Sequence, residues 1–228
     1  NVGGALAVAG DQALRVYYRS WAEPARRLGI ADLEEAFHRL CLNPTILSDM
    51  DEILAWAEAE SQVRGIIPEL HFPCGLELHA QYGIKDIQAA FRRATLESAG
   101  QRGIGVLHFK DIKAYALLIT YQKTEKEFSP STMYADYPIS RELLHWESQS
   151  NTTQKSIVGQ NLIDHEAQGY TILIFARDQK KRNGCTVPFV YLGPADRVSY
   201  EGERPIKMVW RLWYPMPVEM FEENRRGG

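Results

Sequence analysis

Apolar residues in the first hundred positions recur at steps of three and four, whereas beyond Gly103 they gather in short β-branched and aromatic runs. That change of period predicts a helical front and a β-rich back. Leu14, Tyr17, Tyr18, Trp21 and Ala25 mark a helix over 11–28, which Pro24 kinks or divides. Leu33, Ala36, Phe37 and Leu40 mark a second over 31–42, stopped by Asn43-Pro44. A third is expected from Ser48, whose following Asp49 and Asp51 give the shape of a capping box, with Ile53, Leu54, Trp56 and Ala57 as its packing stripe. Breakers and apolar residues mix over 65–75, which sets the expected boundary between two regions. A short helix over 76–82 and a longer one over 85–97 follow.

Residues 104–109, 114–121 and 170–176 are runs of β-branched and aromatic residues between turn formers, and read as strands. Asn183-Gly184 is a strong turn dipeptide, so 170–192 resembles a hairpin, and Pro188 favours an edge position for its second strand. The last strand alternates: Ile206, Met208, Trp210, Leu212 and Tyr214 point one way, Lys207, Val209, Arg211 and Trp213 the other. Residues 198–200 supply a short companion strand. The expected fold is α+β: a helical connector over 1–74, then a mostly antiparallel, barrel-like domain over 75–228.

With 228 residues, 45% hydrophobic and 24% charged, the chain has the composition of an ordered protein with a core. No apolar run reaches the roughly 18–20 residues of a membrane span, and the opening residues lack the charged start of a signal peptide, so a cytoplasmic protein is expected. Asn1 at the start and Arg225-Arg226-Gly227-Gly228 at the end fit a piece of something longer. Three cysteines without CxxC spacing argue against a disulfide framework or structural zinc. Residues 1–100 carry 9 basic and 14 acidic side chains, and 101–228 carry 17 and 15. This mild asymmetry permits nucleic-acid binding without predicting it.

The most conspicuous polar and aromatic cluster is His145-Trp146-Glu147-Ser148-Gln149-Ser150, continued through Lys155. Trp146 could stack on a base, Gln149, Ser150 and Gln160 could bond base edges or sugar, and Ser148 and Lys155 could hold phosphate. The competing reading is a strand that ends in a polar loop, with Trp146 in the core and His145 hydrogen-bonded. A short helix over 156–165 could offer its N-terminal amides to phosphate, or simply pack. Lys180, Lys181 and Arg182 form the densest basic group, at a hairpin tip where Lys181 and Arg182 could reach a phosphate backbone, or could be a solvated turn.

Asp111-Ile112-Lys113 and Glu125-Lys126-Glu127 are short matches to a metal nuclease, without the further acid such a site needs. The histidines lack HxxxH spacing, and no phosphate-binding G-x-x-x-x-G-K-[ST] loop is present. No catalytic residue, metal or cofactor is expected.

The ordered blocks Glu125 to Ser140, His145 to Ser150, Gly159-Gln160, Ile174-Phe175, Pro188 to Pro194 and Pro215-Met216-Pro217 resemble one family. It is the uncharacterised domain (domain of unknown function 3427) at the C-terminus of bacterial DEAD/DEAH-type superfamily II helicases, often with a phospholipase-D-like nuclease domain at the other end. The resemblance covers about 75–218 and implies a DNA-binding module of a defence or restriction-type machine, reading a target sequence or a modified base. Its partners would be DNA and the helicase and nuclease domains of the same full-length chain, without membrane association. The alternative is a protein-interaction scaffold that docks the motor or a partner subunit.

Overall fold

The computed structural model describes residues 65–91, 105–122 and 136–225, with short stretches between 29 and 52. The expected helix over 11–28, the stripe at 53–57, the far end of 85–97, and Glu125 to Glu127 lie outside the described residues. By contacts the chain divides into two units, one of residues 1–77 with 84–102, the other of residues 78–83 with 103–228.

In the first unit, Cys41 ends a helical stretch and residues 44–49 begin another. The second starts at Pro44, four residues before the Ser48 predicted from the sequence. The reason is local: the Asn43 side chain accepts the Ile46 amide at 3.2 Å as a cap, and Pro44 follows at the position where a missing N–H costs nothing. Residues 65–77 are irregular, with Phe72, Cys74 and Leu76 buried, and Phe72 meets Phe91 edge-on at 5.9 Å. Helix α1 (Ile84–Ala90) buries Ile87, Ala89 and Ala90.

The second unit is built on an eight-stranded sheet. Its strands are β1 (Gln81–Tyr82), β2 (Val106–Phe109), β3 (Ala114–Gln122), β4 (Tyr137–Pro138), β5 (Leu143–Glu147), β6 (Thr171–Gln179), β9 (Phe189–Glu201) and β10 (Lys207–Leu212). The order is β2-β3-β6-β9-β10-β5-β4, with β1 also paired to β9. Only β3 and β6 run parallel among these pairs. The tip of the β6–β9 hairpin carries its own two-stranded ribbon, β7 (Lys181–Arg182) with β8 (Cys185–Thr186). Asn183 and Gly184 turn it with φ of 52° and 80°, the left-handed pair that the Asn-Gly dipeptide favours. Among the described residues the unit also holds three short helices: α2 (Ile157–Ile163), α3 (His165–Gln168) and α4 (Val218–Asn224).

One face of the sheet forms the main core, where Tyr115, Leu117, Ile119, Trp146, Ile172, Ile174, Met208 and Trp210 pack with Leu162 of α2 and Met220 of α4. On the other face Phe175 stacks on Tyr191 at 4.8 Å, and the buried Arg177 lies 4.1 Å over the Phe189 ring. Arg177 also donates to Thr120 Oγ1 at 3.0 Å and to the Val187 carbonyl at 2.8 Å, which ties β3 and β6 to the approach to β9.

Three expectations are corrected here. The sheet is not a closed barrel: its path ends at β2 on one side and at the two-residue β4 on the other, and α4 packs between β4 and β6. Residues 76–82 do not form a helix. His79 turns the chain with φ 64°, its amide donates to the Tyr191 carbonyl at 2.8 Å, and β1 then joins β9. Nor does Pro188 mark an edge. It precedes the first residue of β9, so it removes no ladder bond from a strand that pairs with β1, β6 and β10.

Candidate functional site

The cluster singled out at 145–160 becomes a strand, a clasped loop and a capped helix. Along β5 the side chains of Leu144, Trp146 and Ser148 turn inward, while His145 and Glu147 are only partly covered. Ser148 sits just past the end of β5 and exchanges two bonds with Ile206 across the sheet. Its amide donates to the Ile206 carbonyl at 2.9 Å, and its hydroxyl accepts the Ile206 amide at 2.8 Å. The hydroxyl proton goes to the Gln149 carbonyl at 3.3 Å.

Beyond it, the loop hangs on the turn between β9 and β10. The Arg204 amide donates to the Thr152 carbonyl at 3.3 Å, the Gln154 side-chain amide to the Gly202 carbonyl at 2.9 Å, and the Gln154 backbone to Glu203 Oε1 at 3.3 Å. A Thr152 to Gln149 backbone bond of 2.9 Å closes the loop on itself. Ser156 then caps α2 by accepting the Gly159 amide at 3.1 Å, and donates its own hydroxyl to the Thr153 carbonyl at 2.7 Å. A seven-residue helix with its cap in place has that amide already engaged, so the phosphate-cradle reading of 156–165 does not carry over.

The eight sequence-predicted residues divide three ways. Trp146 is 3% exposed, tilted against Trp210 at 6.5 Å, and presents no stacking surface. Ser148 is 1% exposed and its oxygen is committed to Ile206, so it does not face phosphate. The competing reading of this stretch, a strand ending in a polar loop with Trp146 in the core, describes the geometry. Gln149 is half-buried, and Ser150, Lys155 and Gln160 are exposed around the clasped loop. Lys181 and Arg182 are exposed on the β7–β8 ribbon, where Arg182 lies 3.5 Å from Asp178.

These last two groups stand at opposite ends of β9. The ribbon precedes its first residue, and the clasp grips the turn that follows its last. Thirteen residues of extended chain are on the order of 40 Å when straight, and bulges opposite Ile174/Phe175 and Val209/Trp210 coil the strand. They therefore form two surfaces rather than one.

A group the sequence reading passed over is His165, Glu166 and Asp196, whose donor atoms lie within 4.8 Å of one another. Their bonds assign them another task. The Arg197 amide donates to His165 Nε2 at 3.2 Å, which fixes the proton on Nδ1, and Nδ1 donates to the Tyr170 carbonyl at 3.2 Å. Asp196 Oδ2 accepts the Trp213 indole N–H at 2.8 Å. With both ring nitrogens engaged, His165 is a latch between α3 and β9, reinforced by the 2.6 Å bond from Arg197 Nε to the Ile163 carbonyl.

A second polar cluster joins β2, β3 and α2. His108 stacks on Tyr115 at 4.2 Å and approaches the Tyr170 hydroxyl at 3.4 Å, while Asn161 donates to the Tyr115 hydroxyl at 2.9 Å. Burial raises the Tyr115 pKa above its ordinary value, the Asn161 bond opposes the rise, and the nearby Tyr170 adds to it. The phenol stays neutral and works as a polar strut within the core.

Of the short nuclease-like match, Asp111 is exposed, and Lys113 turns the β2–β3 connection with φ 47° while its Nζ donates to the Gln168 carbonyl at 3.2 Å. Cys41, Cys74 and Cys185 are all free thiols. Among the described residues, no helix is long and apolar enough to cross a membrane.

No curated protein matches the sequence. Among solved structures, the chain is similar to Arabidopsis thaliana SUVH6 in its complex with SAM, with a TM-score of 0.38 and 13% identity over 69% of this chain. The match spans 29% of that protein's chain. Residues 76–223, which hold the sheet, the clasped loop and the basic ribbon, match the family model described as a domain of unknown function (DUF3427), and the chain belongs to that family.

Proposed function

We propose that this protein is a DNA-recognition module, reading a target sequence or a modified base for a larger helicase-containing machine and performing no chemistry itself. The observation that carries the reading is the clasped loop. Bonds to the β9–β10 turn and the α2 cap hold Gln149, Ser150, Lys155 and Gln160 on an ordered scaffold, with three of the four side chains exposed. Polar side chains on a loop fixed by a rigid sheet suit readout of base edges, where hydrogen bonds have to be placed rather than merely available. Lys181 and Arg182, on their separate ribbon, suit a sequence-independent grip on phosphate. Trp146 and Ser148 support the loop from beneath.

The family resemblance supports placing this module at the C-terminus of a bacterial superfamily II helicase, with a phospholipase-D-like nuclease domain elsewhere in the chain. On that reading the protein belongs to cytoplasmic defence or restriction. The test is a set of salt titrations on Gln149→Ala, Lys155→Ala, Lys181→Ala and Arg182→Ala. Each lysine or arginine change should weaken all DNA alike and reduce the salt slope by about 1, whereas Gln149→Ala should change target preference. Equal affinity and equal slope in all four variants would end the assignment.

A second reading, a protein-docking scaffold, draws on exposed apolar side chains: Ile157 is 76% exposed and Trp213 52%. Its discriminator is binding to the purified helicase motor without DNA, which Ile157→Ser and Trp213→Ser should weaken and Gln149→Ala should not.

A further inference from the structure

We propose that Asp178 and Asn224, together with the Tyr121 hydroxyl, hold a hard divalent cation where β3 and β6 meet α4. The parallel register pairs Thr120 with Arg177 and Gln122 with Gln179, which sets Tyr121 beside Asp178. Both lie on the side of Ile119 and Ala176, the core face. Over them, Asn224 donates its side-chain amide to Asp178 Oδ1 at 2.8 Å and to the Met220 carbonyl at 2.9 Å. Those two bonds fix which way the amide points. Its oxygen is then buried without a hydrogen-bond partner, and so is the Tyr121 hydroxyl.

Two buried, unpartnered oxygens beside a carboxylate make an unbalanced group, because a buried polar atom without a partner loses its hydration and gains nothing in return. A single ordered water could bridge them, but would leave the charge as it is. Asp178 is faced by Arg182, 3.5 Å from Oδ2 on a side chain 60% exposed, and Asp136 adds a second carboxylate to the surroundings of the phenol. A phenol is neutral at about pH 7 and presents an oxygen lone pair. Asp136 Oδ1 accepts the Glu147 amide at 3.0 Å. A carboxylate, an amide oxygen and a phenol oxygen are all hard donors, the set that selects calcium- or magnesium-type ions over zinc. Such an ion satisfies both orphan oxygens and offsets the carboxylates in one step, and water completes its shell. It would also pin α4 to β6 at the root of the β7–β8 ribbon. The site is independent of the nucleic-acid reading.

The test is terbium luminescence on the full 228-residue chain, with CaCl₂ and MgCl₂ as competitors and thermal unfolding in parallel. Saturable one-to-one binding is expected, reversed by calcium and accompanied by a rise in Tm. Asp178→Asn should weaken it by about tenfold or more, the scale on which lost coordinating or supporting groups act. Since Asp178→Asn also touches the Asn224 bond and could impair folding, Tyr121→Phe serves as the second variant: it removes one oxygen, keeps the ring, and should weaken binding with the fold intact. Absence of saturable binding at millimolar ion, or equal affinity in folded Tyr121→Phe and the parent, overturns the proposal and leaves an ordered water between the two oxygens.

Discussion

Replacing Ser148 with alanine separates a supporting role from a phosphate contact. The hydroxyl accepts the amide of Ile206 at 2.8 Å, and Ile206 is fully buried, so the substitution strands a buried N–H. Alanine differs only by the oxygen and leaves no cavity of consequence, which isolates the hydrogen-bond term. An orphaned buried donor costs about 1–3 kcal/mol, and the lost 3.3 Å bond to the Gln149 carbonyl adds little at that length. For a chain of this size each kcal/mol moves Tm by roughly 2–4 °C, so a fall of about 2–12 °C is expected by calorimetry. Ser148→Thr, which keeps a hydroxyl, should recover part of it. DNA affinity, measured well below the transition, should change little at fixed salt. Unchanged stability combined with a loss of DNA affinity and a shallower salt slope would refute the reasoning and make Ser148 a phosphate ligand.

Other substitutions probe the same scaffold. Trp146→Ala should cost about 3–5 kcal/mol in urea unfolding, as a large core side chain does, whereas an exposed stacking residue would be nearly neutral. Gly159→Ala would drive its methyl into the Thr153 carbonyl oxygen, a backbone atom with little room to move, and should lower stability by about 1–3 kcal/mol while loosening the α2 cap. His79 titrates below its ordinary value because burial and the nearby Arg141 charge outweigh its bond to Pro215. The unfolded chain therefore binds that proton more tightly, and the stabilisation is complete above about pH 6.5 and lost as pH falls through the lower folded value. His79→Asn, which tolerates the left-handed turn, should reduce the drop in Tm between about pH 7.5 and about pH 5.5. An identical drop in both proteins would remove His79 from that account.

Much of the sheet was legible because its strands declare themselves locally. The alternation from Ile206 to Trp213 predicted which side chains of β10 face the core, and Asn183-Gly184 predicted the hairpin between β6 and β9. What local pattern does not carry is pairing at a distance. The parallel register of β3 with β6 and the open ends at β2 and β4 depend on contacts between segments far apart in sequence, so closure into a barrel could not be told from a curved, open sheet. Residues 76–82 show the same override, since a turn at His79 with pairing to β9 displaced a weak helical pattern.

At the site the missed clue was in plain view. Leu144, Trp146 and Ser148 alternate with His145 and Glu147 at the strand period, which marks Trp146 and Ser148 as inward positions. Polar composition suggested contact chemistry there, and the period decides against it. Helix α4 was also unannounced by any cap side chain; Pro217 opens it, and Met220 anchors it in the core. The clasp through Gln154 joins residues nearly fifty positions apart and had no sequence counterpart.

The most direct test of DNA recognition is fluorescence anisotropy of the chain with plain, methylated, hydroxymethylated and single-stranded DNA oligonucleotides, each titrated with salt. Saturable, salt-sensitive binding that favours one member of the panel, with the preference altered in Gln149→Ala, is the predicted result. No binding to any member at low salt would contradict the account and leave the docking scaffold in its place.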